Sequence, residues 1–200
     1  MQRIILIIMT AIFFSAASSG QAKKATDYLG IPGPISFDKK SYNLSWSSHP
    51  SAAYYKQEYI PAGESADQFR TMILIDVITG NVNIKDVAAA KIAELKKMKE
   101  TNPVINYESF DNPTTGEYMI DFLLTANTPE GKRSIAERNV YRYKTVTGKS
   151  GGKAILLFGI STRSYGDETV SFISSLKTTR KTLVTQVAQF TIPAVTISGK

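Results

Sequence analysis

Residues 71–78 read TMILIDVI, apolar at both odd and even positions except for Asp76. A strand with one solvated face alternates apolar and polar residues. A strand covered on both faces does not, so this segment is expected at the centre of a sheet. The surrounding segments supply its neighbours. Tyr42 to Ser48 alternates, with Tyr42, Leu44 and Trp46 expected on one side and Asn43, Ser45 and Ser47 on the other. SSHPS at 47–51 reads as a turn. Ala52 to Pro61 is a second strand, closed by Pro61 and Gly63.

From Ile84 to Thr101 the period changes. Ala88, Ile92, Leu95 and Met98 recur at helical spacing, with lysines and glutamates expected on the other side, and TNP at 101–103 stops the helix. Strand patterns return at 105–111, 117–126 and 154–162. Residues 134–146 form a longer, partly polar strand expected to be exposed on one face. A second helix follows, with Asp167 as its cap, Glu168 in its first turn and Val170, Ile173 and Leu176 as its apolar stripe. The stripe falters at Thr179–Arg180, so this helix is expected to be long or broken there. The pattern predicts an α+β domain: an antiparallel sheet with two helices, in the order strands, helix, strands, helix.

The ends read differently. Arg3, the apolar run from Ile4 to Phe14 and the small residues up to Ala22 have the pattern of a secretory signal peptide over 1–22, cleaved near Ala22. The run is shorter than the roughly 20 residues that span a bilayer, and no transmembrane segment is expected in the mature chain. Residues 23–34 (KKATDYLGIPGP) read as a flexible segment, 35–192 as one domain and 193–200 as a tail. The expected location is periplasmic or secreted. The chain has no cysteine, which removes disulfides and thiol chemistry.

Apolar residues make up 42% and charged residues 20% of the chain, an ordinary globular balance. The formal charge is +7, or +6 once Arg3 leaves, with 23 basic against 17 acidic residues. The basic residues are scattered, without a nucleic-acid groove. His49 is the sole histidine, a lone residue in a turn-like stretch with no G-x-S-x-G elbow to serve, so no catalytic residue, metal ligand or cofactor is assigned. TGKS at 147–150 lacks the upstream glycine of a phosphate-binding loop, because Tyr143 stands there. Asn43-Leu44-Ser45 fits the glycosylation pattern but lies inside a strand. Carboxylate chemistry would require Asp76 and Asp121 to meet in one cleft.

YYKQEYIPAGESADQF at 54–69 holds the binding candidates. Alternation sets Tyr55, Gln57 and Tyr59 on one face and Tyr54, Lys56 and Glu58 on the other. Tyr54, Tyr55, Tyr59, Glu58 and Glu64 are the candidate binding residues, because tyrosine suits both cores and interfaces. Ser65 is expected to cap a short helical turn. Trp46, Glu58, Tyr59, Pro61, Gly63, Glu64, Phe69 and Met72 form a run similar to that of exported bacterial proteins of unknown function. The element order from Ile35 to Phe190 resembles the PsbP-like fold. A cystatin-like or NTF-type fold is the alternative. The PsbP-like resemblance implies a non-enzymatic accessory protein that binds an unknown protein or cell-envelope component. A small-molecule or polysaccharide-binding domain that uses surface aromatics is the other expectation.

Overall fold

The computed structural model describes residues 25–127, 134–147 and 152–197. The signal-peptide reading and the TGKS stretch beyond Thr147 lie outside the described residues. The fold is α+β, an eight-stranded antiparallel sheet with two helices. Its strands are β1 (Ile35–Phe37), β2 (Lys40–Ser51), β3 (Tyr54–Pro61), β4 (Thr71–Thr79), β5 (Asn106–Asn112), β6 (Glu117–Asn127), β7 (Ser134–Thr147) and β8 (Lys153–Tyr165). Helix α1 (Ile84–Thr101) lies between β4 and β5, and α2 (Glu168–Gln189) follows β8. The spatial order is β1-β2-β3-β4-β8-β7-β6-β5. Two four-stranded meanders therefore meet at β4 and β8, and α1 carries the chain from the sheet centre to its far edge.

Both faces of the centre are covered, which explains the unbroken apolar run of β4. On one face, Tyr55, Tyr59, Ile73, Ile75, Leu156, Phe158 and Ile160 pack with Leu183 and Val187 of α2 and with Phe190 just after it. On the other, Ile78, Ile120, Phe122, Tyr141, Tyr143 and Ile155 pack with Val87, Ala88 and Leu95 of α1. These are called the α2 face and the α1 face below. Helix α1 is capped by the Asn83 side chain, which accepts from the Asp86 N–H at 2.9 Å.

The segment expected to be a flexible tether is instead built into the core from Asp27 onward. The buried Gln57 Oε1 accepts from the Tyr28 and Leu29 N–H groups at 2.7 and 2.9 Å. Tyr59 donates its hydroxyl to the Ile31 carbonyl at 2.7 Å. Leu29 is fully buried. Its carbonyl accepts from the Thr196 N–H, so the expected tail also packs down, with Val195 and Ile197 against the core. The proline and glycine residues exclude helix and ladder here, but they leave a backbone that side chains can satisfy.

Other expectations are corrected. SSHPS lies inside β2 and is not a turn; register shifts at Leu44/Trp46 and Ser48/Ser51 absorb the irregularity around Pro50. The GESADQF segment forms turns without a helix, and Glu64 holds them by accepting from the Arg70 N–H at 2.6 Å. Strand β7 is largely buried on both faces, because its charges pair across the sheet. Arg138 pairs with Asp121, Arg142 with Glu117, and Glu137 with Arg163. Asp167 makes no capping bond and is itself helical in conformation; Gly166, at φ 57°, reverses the chain just before it. Val170 is 75% exposed rather than part of the stripe, and the neighbouring Thr169 takes the inward position. The helix runs unbroken through 180, where Arg180 replaces apolar packing with ion pairs to Asp121 and Glu108.

Candidate functional site

The register of β2 on β3 decides which aromatics share a surface. Leu44 pairs with Tyr59 and Trp46 with Glu58, so one extra residue of β2 is bulged out between them. A one-residue insertion flips every side chain beyond it to the opposite face. Leu44 therefore packs on the α2 face, and Trp46 emerges on the α1 face, 40% exposed. The expectation that Tyr42, Leu44 and Trp46 point the same way fails at this bulge.

The alternation expected for 54–59 holds. Tyr55, Gln57 and Tyr59 are buried on the α2 face. The Tyr55 ring stacks on His49 with centroids 4.0 Å apart. Tyr55 and Tyr59 are thus core residues, and Glu64 is a loop clamp. Tyr54, Lys56 and Glu58 are half-buried on the α1 face beside Trp46, and the Lys56 ammonium lies 5.9 Å from both the Trp46 and Tyr54 ring centres.

Asp76 faces them from β4, directly across from Lys56. It is 8% exposed. Tyr54 donates its hydroxyl to Asp76 Oδ2 at 2.6 Å. Oδ1 is buried and has no hydrogen-bond partner among the described residues. Burial pushes the Asp76 carboxyl above the usual carboxylate range, against the opposing pull of Lys56 and the Tyr54 bond. Burial likewise pushes Glu58 up to about 7; Lys56 and Arg163 oppose this, and Asp76 and Glu137 add to it.

Lys91 closes the site from α1. The sequence places it among solvated lysines, yet it occupies the inner face with Val87 and Leu95. Its ammonium lies 3.2 Å from both Glu94 carboxylate oxygens and 5.0 Å from the Phe122 ring centre. Burial lowers its pKa. The helical periodicity of α1 contains the signal: position 91 is three after Ala88 and four before Leu95.

Between these elements is a cavity of about 40 Å³, lined by Tyr54, Lys56, Asp76, Lys91, Tyr141 and Tyr143 and by the apolar Leu74, Ile78, Val87, Ile155 and Leu157. This is room for a few waters. Tyr141 lies over Gly159, where a Cβ would come within 2.9 Å of its ring carbons, so glycine is needed for the ring to lie there.

Asp121 is not part of this site. It lies on the α2 face, two strands beyond β8, bound by Arg138 at 3.0 Å and Arg180 at 2.5 Å. The two aspartates do not share a cleft. Among the described residues no group of three or more histidine or carboxylate side chains is placed to hold a metal. No described helix is long and apolar enough to cross a membrane.

Searches of curated proteins and of solved structures return no match. A family model matches residues 29–192. Its first matched residue is the buried Leu29, within the segment that Gln57 holds down. The chain belongs to that family, an uncharacterised one.

Proposed function

We propose that this chain is an exported, non-catalytic binding domain that takes its ligand on the α1 face. The observation that carries this reading is a mostly apolar cavity on that face into which Lys56, Asp76, Lys91 and three tyrosines are set. A concave apolar site with a few convergent polar groups is the usual form of a ligand pocket. Trp46 extends the surface outward. This supports a small molecule or polysaccharide as the occupant. The second reading is a protein or cell-envelope partner, as the likeness of the 46–72 run to exported bacterial proteins implies.

The non-catalytic part rests on dispersal of the reactive groups. His49 is on the α2 face, stacked on Tyr55, and Asp121 is committed to two arginines. The accessory role is what the PsbP-like resemblance of the sequence implies, and it stands here as part of the same proposal. The leader pattern at 1–22 supports a periplasmic or secreted location.

Two measurements test the proposal. Fractionation and mass spectrometry of the protein expressed from the full chain should find it outside the cytoplasm with Lys23 at its N-terminus; an uncleaved cytoplasmic chain contradicts export. Trp46, the single tryptophan, should change its fluorescence saturably with fractionated envelope small molecules and saccharides, and Asp76→Leu should abolish the change. Turnover of any of those compounds by the protein contradicts the non-catalytic reading.

A further inference from the structure

We infer that the outer edge of β5 pairs with β5 of a second copy of this chain, antiparallel and about a two-fold axis at Ser109, so that two eight-stranded sheets join into one. β5 lies two strands beyond β7, the nearest wall of the α1-face cavity, so pairing there is independent of what that cavity binds.

The two ends of the sheet are finished differently. At one end β1 has three residues; Pro34 stands before it, and Asp38 and Lys39, both at positive φ, turn the chain directly after it. Shortness and proline are common protections of an unpaired strand. β5 has neither. It runs NYESFDN for seven residues, in unbroken register with β6 from Asn106↔Leu123 to Asn112↔Glu117, with no proline, lysine or bulge. All of it except Tyr107 is exposed. Among the described residues no strand pairs with its other side. That side presents an uninterrupted row of N–H and C=O groups, the template to which another strand adds.

The sequence of β5 selects its own copy as that strand. A two-fold at Ser109 overlaps all seven residues: Ser109 meets Ser109, Tyr107 meets Asp111, Glu108 meets Phe110 and Asn106 meets Asn112. Opposite residues share a face and interact there. On the α1 face, where Tyr107 packs, Asp111 of the second copy would stand beside Tyr107. Lys96 and Lys99 line an open concavity with Asn106 and Tyr107, and the Lys99 ammonium is 3.3 Å from Asn106 Oδ1. A carboxylate of each copy therefore faces lysines of the other. On the α2 face, Phe110 of the second copy would lie beside Glu108, which holds the Arg180 guanidinium at 3.0 Å. Phe110 is 37% exposed; pairing covers it and brings its ring to that guanidinium. An axis at Glu108 would oppose two glutamates, which is unfavourable. An axis at Phe110 would shorten the overlap to residues 108–112.

The test is sedimentation equilibrium of the intact protein at concentrations up to about 1 mM, because a strand-edge interface belongs to the small, weakly held class. The parent is expected to dimerise reversibly. Ser109→Lys and Ser109→Glu each set two like charges directly opposite one another and should weaken the dimer by about tenfold or more. Mixed one to one, the two variants should recover at least the parent affinity, which damage to the fold could not produce. The chain has no cysteine, so Ser109→Cys gives a second readout. Its two Cα atoms would lie about 4.5–5.5 Å apart across the axis, within disulfide range. Mild oxidation should lock this dimer, and Ser174→Cys, exposed on α2, should cross-link far more slowly. A parent that stays monomeric throughout overturns the inference and leaves the β5 edge to a strand of another protein. A dimer indifferent to both charge variants overturns it, as does equal cross-linking at the two cysteine positions. A dimer tightened by Ser109→Lys puts the axis elsewhere and overturns it too.

Discussion

Tyr54 gives its hydroxyl proton to Asp76 Oδ2 at 2.6 Å and is the one side chain that hydrogen-bonds this buried carboxyl among the described residues. Tyr54→Phe removes that donor and is expected to destabilise the domain by about 1–3 kcal/mol. The bond to Tyr54 lowers the Asp76 pKa, against the larger effect of burial. Its loss raises the folded-state pKa further. A carboxyl raised in the fold contributes stability at low pH that is lost as pH climbs through the folded value. Urea unfolding should therefore show a larger penalty at about pH 8 than at about pH 4. An equal penalty at both would mean that the bond does not couple to the carboxyl's charge.

Glu58 carries the same sign. Its pKa is pushed up to about 7, chiefly by burial. The groups facing it are Lys56 on β3, Asp76 on β4, Glu137 on β7 and Arg163 on β8. Its contribution is fully present below the ordinary carboxylate pKa and is lost as pH rises through about 7. Glu58→Gln should flatten the fall in stability across that window and make the variant more stable than the parent in mild alkali, by at most about 3 kcal/mol. Paired urea melts across the window check it.

Asp121 serves the α2 face as an anchor. It binds the buried Arg138 through both oxygens and Arg180 through one, and Arg138 also donates to the Arg180 carbonyl at 2.6 Å. Asp121→Asn strands a buried guanidinium and is expected to cost about 3–5 kcal/mol. Any ligand titration at the α1 face should be unchanged in whatever fraction remains folded, since the sheet separates the two sites.

Gln57 accepts from the Tyr28 and Leu29 N–H groups, the second shared with Asp27 Oδ1 at 3.1 Å. Gln57→Leu should speed hydrogen exchange at the Tyr28 and Leu29 amides by tenfold or more and leave the amides of β7 and β8 protected, because strap opening is local. Uniform protection across all of them would mean that backbone packing, not Gln57, holds the segment.

How far the sequence foretold this can be read from particular residues. The bounds of α1 were legible because the helical period and the TNP stop agree. The central place of β4 was legible because solvent would demand polar residues on one face. Trp46 was not, because a bulge at Ser45 leaves no local signature and reverses the side chains from Trp46 to the next register shift. Lys91 was hidden by the rule that lysines face water; its helical position showed the inner face, and Glu94 and two rings make burial tolerable. The anchored segment at 27–31 was obscured because its partner, Gln57, is a polar residue in the interior nearly thirty positions away. Of the candidate binding residues, the alternation separated Tyr54 and Glu58 from Tyr55 and Tyr59, but only the sheet order showed which face remains accessible.

The account stands most directly on where a ligand sits. A crystal structure of the protein with an envelope compound that changes Trp46 fluorescence should place that compound on the α1 face, against Leu74 and Leu157. The compound bound on the Tyr55 face instead would contradict it.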